Sequence, residues 1–310
     1  MKNKRFLGNA LLLLAALIWG TAFVFQRVGM EKIEPITFAA SRMTLSAVLI
    51  GALSFGLSRG KKRLALSAED KKMKKKNTIL GGILCGVALM VASSLQQIGI
   101  KDTTVGKAGF VTAMYIVIVP LLGVFMKRRF SLNVWLGVGL AVLGMYFLCI
   151  TEGFVISRGD FFVFLSALCF SVHILVIDHF SPKVDGVKMS CIQFFTCGVL
   201  SFAPALIFDK PTAEDLFAAL LPILYAGLLS GAVGYTLQII AQKNLQPTVA
   251  SLIMSLESVF SVLSGWVVLR QVLSSRELVG CLLMFAAIVL AQLPATFFRI
   301  KRTEGENNKK

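Results

Sequence analysis

The 310-residue chain is 56% hydrophobic, carries a formal net charge of +16 and has a mean hydropathy of +0.78. A soluble domain of this length has no means of keeping so much apolar surface out of water, and no polar stretch is long enough to form a separate soluble domain. Composition therefore excludes a soluble enzyme and a disordered chain and points to one integral membrane domain.

Ten apolar segments follow one another, at 7–26, 36–57, 78–98, 104–126, 132–150, 161–180, 189–208, 216–241, 247–269 and 278–297. Each is close to the ~20 residues that a helix rising 1.5 Å per residue needs to cross a bilayer core of ~30 Å. The first, within MKNKRFLGNALLLLAALIWGTAF, has the basic start and apolar run of a secretory signal. It is read as an uncleaved helix, because the internal repeat described below requires it. Trp19 in this span and Tyr115 in the fourth lie near mid-span, away from the interfaces where Trp and Tyr concentrate. They read either as an aromatic wall for cargo or as ordinary packing.

Arg42 falls about seven residues into the second span. A guanidinium there can bind a substrate carboxylate bidentately, snorkel to the outer headgroups, or pair with an acid. Gln96 in the third span and Gln238 in the eighth can hydrogen-bond across helices or to substrate. His173 in the sixth is a candidate proton relay or a structural hydrogen-bonder. Gln193 in the seventh lies at a depth matching Arg42 from the opposite face. Of sixteen acidic residues only Glu257 sits near the middle of a span, the ninth. An intramembrane carboxyl is costly and is a functional candidate by default. It reads as a proton-coupling or amine-binding group, or as a carboxyl that braces the span. Pro120, Pro204 and Pro222 lie inside spans and are expected to kink or loosen them. The pairs Gly82/Gly86 and Gly227/Gly231 have the GxxxG spacing that permits close helix approach, here expected within the chain.

Charge gives a direction. With the N-terminus inside, most Lys and Arg fall in inside segments, above all in the connection 58–77 and the C-terminal tail. This bias places both termini in the cytoplasm, and it replaces the nucleic-acid reading that a basic soluble protein would receive. The six cysteines lie within or at the ends of spans and form no CxxC pair, so they read as small buried hydrophobes.

The second five spans look like a degraded copy of the first five. At offsets of 142 to 151 residues, Ala16-Leu17 meets Ala167-Leu168 and Leu95-Gln96 meets Leu237-Gln238. Lys101 meets Lys243, Val117 meets Val259, and Arg42 meets Gln193. Five helices per copy is odd, so the second copy enters from the opposite side. The expected fold is all-α and integral to the membrane, with ten transmembrane helices as two inverted-topology repeats of five. The repeats occupy 1–155 and 156–310, the second ending in a short basic tail. Such an arrangement provides two states of similar energy around a midplane site, which argues for alternating access.

The residues also carry a resemblance. ALIWGTAFVFQRVG in the first span, FAASRMTLSAVL in the second, and LQIIAQKNLQPTVASLIMSLESVFSVLSGWVVL across the eighth and ninth are similar to the drug/metabolite transporter superfamily, EamA-type. The resemblance covers nearly the whole chain. It implies a ten-helix carrier of small metabolites, often an amino-acid exporter. That family usually has Gly-Glu after the ninth span, where this chain has Arg270-Gln271.

The expected function is secondary transport of an amino acid or similar amphipathic solute, in the direction of export. The plasma or inner membrane is its expected place, with lipids and a small-molecule substrate as partners. The chain is expected to be a monomer or homodimer that binds no nucleic acid and needs no cofactor or metal. A lipid or lipid-linked carrier translocase is the second reading. An enzyme is not expected, since HExxH and Walker A patterns are missing from the sequence.

Overall fold

The computed structural model describes residues 2–60, 67–128, 130–149, 157–270 and 274–293. Gln271, the C-terminal tail and the middle of the 58–77 connection lie outside them. Among the described residues the chain is helical and contains no strand.

The first half comprises α1 (Lys2–Gly29), α2 (Pro35–Gly60), α3 (Ala68–Lys101), α4 (Val105–Thr112), α5 (Tyr115–Phe125) and α6 (Leu132–Cys149). The second comprises α7 (Arg158–Phe180), α8 (Gly186–Pro204), α9 (Ala213–Ala218), α10 (Leu220–Leu224), α11 (Thr236–Gln242), α12 (Pro247–Met254), α13 (Glu257–Leu269) and α14 (Ser275–Gln292). Two segments wind more loosely, with π-helical turns at Ala205–Asp209 and Tyr225–Tyr235. The first follows Pro204 directly, and the second begins three residues after Pro222, where the missing N–H frees a preceding carbonyl.

Among the described residues, eight helical stretches are long and apolar enough to cross a membrane; the fifth and tenth predicted spans fall on shorter apolar helices, Leu132–Phe147 and Leu278–Ala291. The helix of the third span begins at Ala68, well inside the basic connection. Ser67 starts it: its Oγ accepts the Asp70 N–H at 3.0 Å, and Glu69 and Asp70 face the positive end of the helix. Ser157 and Asp160 form a reciprocal capping box at the head of α7. Helix α13 ends at Arg270, which takes a left-handed conformation with φ 53°.

The polarity of the molecule is inside out. Phe6, Phe55, Leu121, Phe125, Phe195 and Leu282 point outward, while Arg42, Gln96, Gln97, His173, Gln193, Gln238 and Glu257 are buried. Water would reject that arrangement; a lipid environment favours it. Together with the long apolar helices, it describes a multi-pass membrane protein.

The helix contacts run across the two halves. Helix α3 lies against α7 and α8, while the segment from α10 to α11 lies against α1 and α2. Helices α12 and α13 pack on α1, and α4 and α5 pack on α7. Helix α2 faces α8, and α6 faces α14. The GxxxG glycines make close approaches among these. A Cβ at Gly86 would lie 2.7 Å from the Gln193 carbonyl oxygen, and one at Gly227 would lie 3.0 Å from that of Arg42. The close approach that such spacing allows is thus used inside the chain.

Ion pairs mark the two ends. Arg128 meets Asp178 at 2.6 Å at one end, and Lys101 meets Glu34 at 2.7 Å at the other.

Candidate functional site

The fourth and ninth spans are each interrupted near the middle. The first break is at Ala113-Met114 and the second at Ser255-Leu256, with neither Gly nor Pro at either. At the first, the Met114 N–H donates to Val111 (3.2 Å) and the Ile116 N–H to Ala113 (3.0 Å). At the second, the Leu256 N–H donates to Ile253 (3.2 Å) and the Ser258 N–H to Ser255 (3.1 Å). Both are tight three-residue turns of 3₁₀ type. Every residue in one break is 142 positions from its counterpart in the other. The residues that restart the helices, Tyr115 and Glu257, touch: the Tyr115 hydroxyl donates to Glu257 Oε1 at 2.9 Å. Gly20 brings α1 against this point, since a Cβ there would sit 2.6 Å from the Glu257 carbonyl oxygen.

A cavity of about 40 Å³ adjoins that hydrogen bond. Seven of the eight residues singled out by sequence line it: Trp19, Arg42, Gln96, Tyr115, His173, Gln238 and Glu257. The eighth, Gln193, stands one step behind, with its Oε1 at 3.0 Å from His173 Nε2. Gln97 is buried but does not line the cavity.

Aromatic rings form one wall. Trp19 and Tyr235 have ring centroids 4.9 Å apart, and His173 meets Tyr235 edge-on at 5.7 Å. Trp19 Nε1 donates to the Ser230 carbonyl at 3.0 Å, in the π-helical stretch of the eighth span, which fixes the indole plane. Gln96 Nε2 donates to Thr112 Oγ1 at 3.1 Å. Gln238 presents an Oε1 without a hydrogen-bond partner among the described residues.

Arg42 is 2% exposed, and its Nε and Nη2 find no partner among the described residues. Its backbone is braced: Ser46 Oγ lies 2.8 Å from the Arg42 carbonyl and 2.7 Å from that of Gly227. Glu257 is 4% exposed, and Tyr115 is its one side-chain hydrogen-bond partner among the described residues.

Phe23, Gln26, Thr112, Phe170, Ile174, Ser230, Tyr235 and Met254 complete the lining and are not in the sequence-derived set. Tyr235 was within reach of the rule that selected Trp19 and Tyr115, an amphipathic aromatic deep in a span. The repeat offset was a second unused signal: it pairs Trp19 with Phe170, Phe23 with Ile174 and Thr112 with Met254, all of which line the cavity.

The EamA-like transporter family model matches this chain twice, at residues 6–150 and 157–293. The chain belongs to the EamA-like transporter family. It is 29% identical over 296 residues to an "uncharacterized transporter" of Archaeoglobus fulgidus, covering 94% of this chain and 87% of the relative. It is 23% identical over 281 residues to the "uncharacterized transporter YoaV" of Bacillus subtilis, covering 88% and 92%. To the "uncharacterized inner membrane transporter YedA" of Escherichia coli strain K12 it is 22% identical over 293 residues, covering 92% and 90%. A crystal structure at 17% identity superposes with a TM-score of 0.70, covering 92% of this chain and 98% of that one, and so shares the fold.

Proposed function

We propose that this EamA-like protein is a ten-helix secondary carrier that moves a small amphipathic metabolite, such as an amino acid, outward by alternating access. One observation carries the reading: the two halves build a single cavity from residues at equivalent repeat positions, around two matching helix breaks. Gln96 and Gln238, and Tyr115 and Glu257, are each 142 residues apart and line the same space.

The packing supports an inverted pair. Exchanging the halves turns the contact of α3 with α7 into that of the eighth span with α1. It turns α12 and α13 on α1 into α4 and α5 on α7. The contacts of α2 with α8 and of α6 with α14 map onto themselves. Two arrangements related by this exchange would open the cavity to opposite sides, around broken helices at its centre. The double match of one family model, split near residue 155, is in keeping with two five-helix units. Helices α6 and α14 supply the fifth and tenth crossings, each 18 residues long. The positive-inside charge pattern sets both termini in the cytoplasm.

Glu257 is the proton-coupling group of this reading, because it is the buried carboxyl in the cavity wall. A pH gradient would drive the carrier by protonating it on one side and releasing the proton on the other. The test is flux in proteoliposomes with a solute library, with and without a pH gradient. Solute movement accelerated by the gradient in the wild type, and insensitive to it in Glu257→Gln, is the expected result. A Glu257→Gln carrier that keeps its gradient dependence would remove Glu257 from the coupling, and a reconstituted protein that moves no solute would remove the carrier reading itself.

A further inference from the structure

We propose that Arg42 is the anchor for a single carboxylate on the cargo, which narrows the substrate class to organic monocarboxylates with an apolar body. The inference rests on the carrier reading for its biological setting, but its chemistry comes from the side chains alone.

An arginine inside a membrane has few tolerable placements. It can snorkel, pair with an acid, or face a polar cavity. At 2% exposure Arg42 does not reach the outer surface, and no described acid stands within ion-pair distance. What remains is the cavity, which it lines while Nε and Nη2 have no partner. These two nitrogens lie on one edge of the guanidinium, the edge that a carboxylate meets with two parallel hydrogen bonds. A buried charge without a partner is strongly destabilising. A ligand carboxylate would offset that cost at the moment of binding.

The opposing acid is kept back. Glu257 lines the same cavity, yet its carboxyl is held by Tyr115 and makes no ion pair with Arg42. The repeat counterpart of Arg42 is Gln193, and its Oε1 is occupied by His173. Anion recognition is therefore confined to one half of an otherwise matched site.

The count of charges sets the class. Arg42 is the one Lys or Arg among the lining residues, and Glu257 is the one carboxyl. A phosphate dianion would meet a single cation and a nearby acid, whereas a monocarboxylate is matched by one guanidinium. Trp19, Phe23 and Phe170 supply apolar surface for the body of the ligand.

The test compares probes that differ only in their head group, by equilibrium binding to the full-length protein purified in detergent. Phenylacetate and L-phenylalanine carry the carboxylate; phenylacetamide and L-phenylalaninamide do not. In the wild type the acids should bind about a hundredfold more tightly than the amides, the scale of loss when one partner of a desolvated charge pair is removed. Arg42→Gln should abolish that preference. Arg42→Lys, which keeps the charge but not the fork, should weaken the acids about tenfold and retain a reduced preference. Phenylalanine binding without phenylacetate binding would support the anchor on a zwitterion; binding of both would support it on any monocarboxylate. Amides that bind as well as acids, acids that fail to bind, or a preference that survives in Arg42→Gln would each overturn the proposal. If Arg42→Gln does not fold, the wild-type comparison and the Arg42→Lys variant decide. Solute counterflow in proteoliposomes that shows no carboxylate preference would sink the anchor and leave the carrier reading standing.

Discussion

Replacing Gly86 by Ala tests the close contact of α3 with α8. The added Cβ would lie 2.6 Å from Thr196 Cβ and 2.7 Å from the Gln193 carbonyl oxygen. Ordinary contact begins near 3.4 Å, so α3 and α8 must part by about 0.7 Å or distort locally, and one obstacle is backbone that no rotamer change can move. Forcing a methyl into a closed interface costs about 1–3 kcal/mol. The gain in helix propensity from Gly to Ala is at most ~1 kcal/mol. The net expectation is a destabilisation of about 1–2 kcal/mol, seen as a fall of a few degrees in apparent thermal midpoint in detergent. Gly139→Ala is the control. It lies in α6 with nothing within 4 Å of a Cβ, so it should hold or raise the midpoint. A Gly86→Ala midpoint that matches or exceeds that of Gly139→Ala would refute the close packing of α3 on α8.

Two further outcomes follow from single hydrogen bonds. Tyr115→Phe strips Glu257 of its partner and should cost ~1.5–3 kcal/mol in unfolding stability; in a double-mutant cycle with Glu257→Leu the two changes should be clearly non-additive, and simple additivity would show that the bond contributes nothing. Asn133→Ala removes the amide that reaches the Ala291 carbonyl at 3.2 Å and that of Leu293 at 2.7 Å, tying α6 to the end of α14. It should cost ~1–2 kcal/mol, with faster hydrogen exchange at the end of α14; unchanged exchange there would contradict the tie.

What the sequence revealed of the site follows from contrast. Arg42, Glu257, Gln96, Gln238 and His173 stand out because ionisable and amide groups are expensive among Leu and Val, and all five line the cavity. Phe23, Phe170, Ile174 and Met254 line the same space and raise no signal, because an apolar residue in an apolar span looks the same whether it faces cargo or lipid. The fold was legible to the level of helices, since length and hydropathy are summed over twenty positions. The helix breaks were not. Pro120 invited a bend at its own position, yet α5 runs through it and the interruption falls at Ala113-Met114. No residue there is a helix breaker, so nothing in the composition of the fourth span marks the break.

The contact between Tyr115 and Glu257 also bears on how such a chain can arise. If the chain is the inverted pair proposed above, two positions 142 residues apart that touch lie where a symmetric pair of five-helix proteins would meet its own copy. An assembly of identical units can place there two tyrosines or two carboxyls, never one of each. Two carboxyls in contact resist being charged together. A phenol donating to a carboxylate needs two different residues at the two positions, so this hydrogen bond is chemistry that an exact homodimer cannot place on its own axis.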